Sequence, residues 1–209
     1  SALNLNTTGN SNTAVGFGSL DANTTADGNT GVGYASLGAN TTGTNNVAVG
    51  AYTLDANTTA DYNTAIGRSA LGANTTGSPH TAVGAFALDA NTTGTGHVAV
   101  GANALGACTT GSRNTAVGEK ALLSVTTGDN NTAIGSLAGD SLTTGTNSIY
   151  IGRESDSSGT GVDHEIVIGN STTGKGSNTF FAAPASGSVY NIANSTTWNQ
   201  TSDRRIKKN

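Results

Sequence analysis

A glycine preceded by Val or Ile stands at Gly16, Gly33, Gly50, Gly67, Gly84, Gly101, Gly118, Gly135, Gly152 and Gly169, and every interval is 17 residues. Nothing is inserted or lost between them. The unit reads approximately NTAVGxxALxANTTGxx, and its leucine slot is filled at Leu20, Leu37, Leu54, Leu71, Leu88, Leu105 and Leu122 before failing at Gly139. Hairpins and propeller blades tolerate loop insertions, whereas coils stacked in register need each turn to overlay the last. The period therefore predicts an all-β chain, a parallel β-solenoid or β-roll of about ten coils. Each coil is expected to hold two short strands and two tight bends.

Alternation within the strand segment sets Thr13 and Val15 on one face and Asn12, Ala14 and Gly16 on the other. Pairs such as Val47 and Val49, Val98 and Val100, Ile149 and Ile151, and Ile166 and Ile168 are oilier than the Ala or Gly between them. The expectation is that the Val and Ile face fills a thin interior, and that the small face lets another backbone come close.

Composition limits that interior. Thirty Gly, 11% charged residues and 5% aromatics cannot build a large oily core. Plentiful Val, Ile and Thr nonetheless argue against a disordered chain. One Val and one Leu per coil do not offset the ordering of 17 backbones, so neighbouring coils and sister chains must contribute. At about 4.8 Å per coil the stack is a rod roughly 45 Å long, and a rod so poor in core favours a symmetric oligomer.

Charge divides the chain. Residues 1–201 carry five positive and twelve negative side chains, whereas 202–209 carry four and one. An acidic body disfavours nucleic acid. No run of eighteen apolar residues is present, so no membrane insertion is expected. The N-terminus begins partway through a repeat, which suggests a piece of a longer chain. Cys108 is the single cysteine. It reads as a small buried thiol, with an interchain crosslink as the alternative.

The segments NNVAVG (45–50), HVAVG (97–101) and NSIYIG (147–152) resemble the head repeats of the YadA-like trimeric autotransporter adhesins. The resemblance spans about residues 2–170 and implies a left-handed parallel β-roll with three chains about a common axis. The period here is longer than that family's usual one. A β-helical fibre shaft is the nearest structural alternative. Residues 171–201 leave the period and hold Phe180, Phe181, Tyr190 and Trp198, which suggests a neck plugging the end of the rod.

The closing stretch SDRRIKKN (202–209) resembles the opening of the self-cleaving intramolecular chaperone domain of phage endosialidases and other tail-spike and fibre proteins. That resemblance implies an autocleavage dyad of Ser202 and Lys207, with Asp203 in the adjacent acidic position. A lysine freed of its proton by burial can activate a serine hydroxyl. Eight residues supply no scaffold for the dyad, so no catalysis is expected from this chain. The alternative is a solvated basic tail.

Other signals are weighed against the repeat. Six NTT triplets fit a glycosylation pattern, but their strict period favours stacked amide and hydroxyl ladders at a bend. His80 and His97 share the Asn slot one period apart, about 4.8 Å if stacked. Ordinary substitution is the expectation there, and a metal or anion site in a trimer is the alternative. Asp163, His164 and Glu165 read as an exposed turn. Asp21, Asp55 and Asp89 recur at one repeat position and read as architecture. No calcium-binding repeat, phosphate loop or catalytic triad stands out, and no cofactor is expected.

Together these features predict a non-enzymatic part of a homotrimeric extracellular fibre, a phage tail fibre or surface adhesin, that attaches to a host surface carrying a glycan or receptor. A fibre segment of a glycan-degrading tail spike is the second reading, and an ice-binding solenoid the third.

Overall fold

The computed structural model describes residues 1–183, 188–191, 195, 197 and 199–200, the last two by their backbone. Its strands are β1 (Thr13–Val15), β2 (Thr30–Val32), β3 (Val47–Val49), β4 (Thr64–Ile66), β5 (Thr81–Val83), β6 (Val98–Val100), β7 (Thr115–Val117), β8 (Thr132–Ile134), β9 (Ile149–Ile151), β10 (Ser155–Asp156), β11 (Ile166–Gly169), β12 (Thr172–Thr173), β13 (Phe180–Ala183), β14 (Val189–Asn191) and β15 (Asn199–Gln200). Strands β1 to β9, then β11 and β13, follow one another side by side in a single sheet. From β1 to β11 every pairing is parallel, and each residue lies beside its counterpart 17 positions on, Val15 against Val32 and Ala48 against Ala65. The chain is an all-β parallel solenoid.

Each coil of the main stack contains one three-residue strand rather than the expected two. Among the described residues a short second ladder, β10 with β12, forms only near the C-terminal end of the stack. Elsewhere the far flank is a stack of turns held by left-handed residues. Every leucine of the repeat slot has positive φ, from 50° at Leu54 to 54° at Leu71, and so do Tyr52 and Phe86 two residues before that slot. L-residues resist this conformation, and coil-to-coil hydrogen bonds offset its cost. Leu37 N–H donates to Thr53 O at 3.0 Å in the next coil, and Tyr52 N–H donates to Tyr34 O at 2.8 Å in the previous one. The flank thus satisfies its backbone in both directions without strand geometry.

The inward and outward faces are the reverse of the sequence expectation. Ala48, Ala65, Ala82, Ala99, Ala116 and Ala133 are fully buried, whereas Val15 is 57% and Ile134 44% exposed. The reason is width. Leucine and a small residue from the turn flank already occupy the interior, and across from them even a methyl is tight. A Cβ placed on Gly31 would lie 2.6 Å from Ser19 Oγ. Nor does the small face admit a foreign backbone, because it lines the core.

At the bend after each strand the glycine slot has a different constraint. Gly84 has φ of 139°, and a Cβ there would sit 2.5 Å from the carbonyl carbon and oxygen of Gly101 directly above. Only glycine lets successive coils close up at this corner.

Toward the C-terminus the core changes hands. Tyr150 replaces the inward alanine, and its ring fills the space beside Gly139 where the leucine column stops; a Cβ on Gly139 would lie 2.8 Å from Tyr150 Cδ2. Val167 and Phe181 continue this bulkier column. The enlargement that the sequence places after residue 170 therefore starts two coils earlier, at Tyr150. Stacking also outlasts the 17-residue period, because Ile166 pairs with Phe180 across β11 and β13. The chain then reverses into antiparallel β14 and β15.

Candidate functional site

Asparagine runs through the interior in two columns. Asn6, Asn23, Asn40, Asn57, Asn74 and Asn91 form one, each Nδ2 from Asn23 onward donating to the Oδ1 one coil back; Asn57 reaches Asn40 at 2.9 Å. Asn23 to Asn91 are fully buried, which closes them to glycosylation in the folded chain and shows the amide ladder. The neighbouring threonines behave differently. Thr41 Oγ1 donates to the backbone oxygen of Thr58 at 3.0 Å rather than to another hydroxyl.

The second column includes Asn29, Asn46 and Asn63, whose side chains each reach the next coil. Asn46 Nδ2 donates to Ala60 O at 2.8 Å, while its Oδ1 accepts the Asn63 N–H at 2.9 Å. His80 and His97 occupy this column and reproduce the asparagine pattern. Nδ1 of His80 accepts the His97 N–H, and Nδ1 of His97 accepts the Asn114 N–H, each at 3.2 Å. Nε2 of His97 donates to Gly111 O at 2.7 Å, and Nε2 of His80 lies 3.2 Å from Asn91 Nδ2. The rings stack 5.2 Å apart. Burial, reinforced by the neighbouring His97, lowers the His80 pKa to about 3, and burial lowers that of His97. With both nitrogens of each ring engaged, no lone pair faces outward for a metal.

Cys108 lies beside this pair, its Sγ 3.8 Å from His97 Nε2. It is fully buried, and burial pushes the thiol up to about 12. It is an unreactive interior group, where sequence alone left a crosslink open.

The segment Asp163, His164, Glu165 is not one exposed turn. His164 is exposed, but Asp163 accepts from the N–H and hydroxyl of Thr146 at 2.7 and 2.8 Å, which holds its carboxyl below the usual range. Glu165 is fully buried in the asparagine column and accepts from Gly176 N–H at 2.8 Å, Ser158 N–H at 3.2 Å and Tyr150 Oη at 3.4 Å. A carboxylate so supplied with donors is a structural plug.

Asp55 leans over the glycine of the preceding coil; a Cβ on Gly38 would lie 2.8 Å from Asp55 Oδ1, and Gly72 stands likewise to Asp89. Alternation of Asp with Gly keeps like charges two coils apart. Asp140 and Asp156 do come together, and burial followed by the charge of Asp156 pushes the Asp140 carboxyl up.

What remains for recognition is the outside. The outward row Val15, Ile66, Val100, Val117, Ile134 and Ile151 is 36–57% exposed along nearly the whole stack. Sequence reasoning found these residues and turned them the wrong way. The proposed dyad of Ser202 and Lys207, and Trp198 of the neck, lie outside the described residues. No protein-family model, curated protein or solved structure matches the chain.

Proposed function

We propose that this chain is a structural segment of a homotrimeric extracellular fibre, a phage tail fibre or surface adhesin, whose role is attachment. The observation that carries the reading is the uninterrupted outward row of Val and Ile on a rigid, in-register sheet. A continuous apolar stripe of this kind marks a surface that other protein covers. Three residues wide and about 45 Å long, the stripe offers roughly 450 Å², about half of what one partner contributes to a standard interface. Three stripes around an axis let each meet two others. The likeness of NNVAVG, HVAVG and NSIYIG to adhesin head repeats, and of SDRRIKKN to a fibre chaperone, supports the same assembly.

Size-exclusion chromatography with light scattering tests it. The expected mass is three times that of the 20.5 kDa chain. The double variant Val100→Asp, Ile134→Asp is expected to yield monomer with an unchanged far-UV spectrum, since both side chains point outward. A monomeric parent chain removes the fibre reading.

A further inference from the structure

A second surface runs along the turn flank. Phe17, Tyr34 and Tyr52 are 69%, 49% and 42% exposed, and their rings follow one another at 5.8 and 5.2 Å between centroids. Further along, the Arg68 guanidinium lies over Phe86, 5.2 Å from the ring centroid. Phe86 borders a depression of about 330 Å³ together with Asp89, Asn103, Gly106, Leu123 and Ser124.

Tyr52 and Phe86 stand at a slot whose φ is positive in every coil, Ala35, Lys120, Leu137 and Glu154 included, so the left-handed backbone there belongs to the fold. What sets the aromatics apart is exposure. Phe17, Tyr34 and Tyr52 forgo the burial that large rings normally gain, which points to use rather than to architecture. The polar groups beside the rings are also uncommitted: the side chains of Asp55, Asp89, Asn103 and Ser124 make no hydrogen bond within the protein, and Arg68 is the charge that offsets Asp89.

From these observations we infer that the flank carrying Phe17, Tyr34, Tyr52 and Phe86 binds an extended, uncharged glycan lying along the rod. Ring faces pack against the C–H face of a pyranose, while carboxylate, amide and hydroxyl groups take its hydroxyls. One coil advances about 4.8 Å, comparable with one sugar of an extended chain, and the Asp55 to Asp89 repeat of two coils matches a disaccharide. The acidic residues reject sialylated or sulfated polymers by charge. This assignment gives the attachment reading a site and a ligand class, and rests on it for its biological setting.

The test is an immobilised glycan array holding neutral hexose and N-acetylhexosamine oligomers beside sialylated and sulfated ones, probed with the full chain. Retention is expected on the neutral oligomers, rising with length. The variant Tyr34→Asn, Tyr52→Asn is expected to lose at least tenfold in affinity while its melting midpoint stays level or rises, because Asn suits positive φ at residue 52. Thr42→Ala, an exposed position on the bend outside both the Val and Ile row and the aromatic strip, is expected to bind as the parent does. No retention of neutral oligomers, preference for the charged ones, or equal binding by the double variant overturns the proposal, as does binding of proline-rich peptides through the same rings in place of glycans. Light scattering on the same samples separates this outcome from the fibre. A trimer that retains no glycan defeats the strip alone, and a monomer that retains one supports the strip and defeats the fibre.

Discussion

Coils up to Asn91 and coils from Cys108 onward share the same outer path but differ in what fills one interior column. In the first group it is an amide ladder; in the second it is Cys108, Val125 and Leu142, all fully buried. A ladder functions only when like stands above like, because each amide needs a donor on one side and an acceptor on the other. An apolar column has no such demand and accommodates three side chains of increasing size. The junction bears the cost. Asn91 Oδ1, the last acceptor of the ladder, is buried without a partner, since Cys108 provides no amide to reach it. Among the described residues the other such atom is Asn63 Oδ1; its counterparts in Asn29 and Asn46 accept the N–H 17 residues on, the position that His80 holds after Asn63.

The largest effect should be common to both groups. Gly67→Ala and Gly118→Ala each place a Cβ within 2.6 Å of the backbone of the next coil, so each is expected to cost about 4 kcal/mol or more. Urea unfolding that differs by more than about 1 kcal/mol between them would break the claim of a shared outer path. Next comes the contrast itself. Asn57→Ala strands Asn40 Oδ1 and is expected to cost about 3 kcal/mol, against about 1–2 kcal/mol for Val125→Ala. Equal losses by the same measurement would erase the distinction.

A pH dependence follows from the histidines at the junction. Because the folded pKa of His80 lies near 3, below the unfolded value of 6.5, the unfolded chain takes up the proton first. Stability from the neutral ring is complete above about pH 6.5 and drains away as pH falls toward 3, reaching a loss of roughly 2–3 kcal/mol at pH 4.5. The variant His80→Asn, His97→Asn should flatten that slope in unfolding curves taken at pH 7 and pH 4.5. The smallest effect is expected from Cys108→Asn. Its amide would satisfy Asn91 Oδ1 but leave its own oxygen unpaired one coil on, for a net change within about 0.5 kcal/mol. A clear gain in melting temperature would show that the apolar group accepts the ladder after all.

Much of the architecture was legible in the sequence. The spacing of Gly16 to Gly169 gave parallel, in-register stacking, and the recurring NTT triplets gave the amide ladder. The orientation of the strand was not legible. Alternation separates Val15 from Ala14 but does not say which is inside, and the larger residue is outside because Leu20 and Ser19 arrive from the opposite flank. Left-handed leucines leave no mark in composition, which is why a second strand was expected where turns occur. Glu165 looked exposed because it is charged. Only its place in the asparagine column, set by counting 17 from Ser148, identifies it as interior.

The hydrogen bonds that join one coil to the next run along the rod, and this governs how the chain yields when pulled by its ends. Tension opens them one turn at a time instead of shearing all of them together. Each released turn exchanges about 5 Å of rod for nearly 60 Å of extended chain. Under load a single chain would lengthen in uniform steps of roughly 55 Å, taking up force gradually before the last coil lets go.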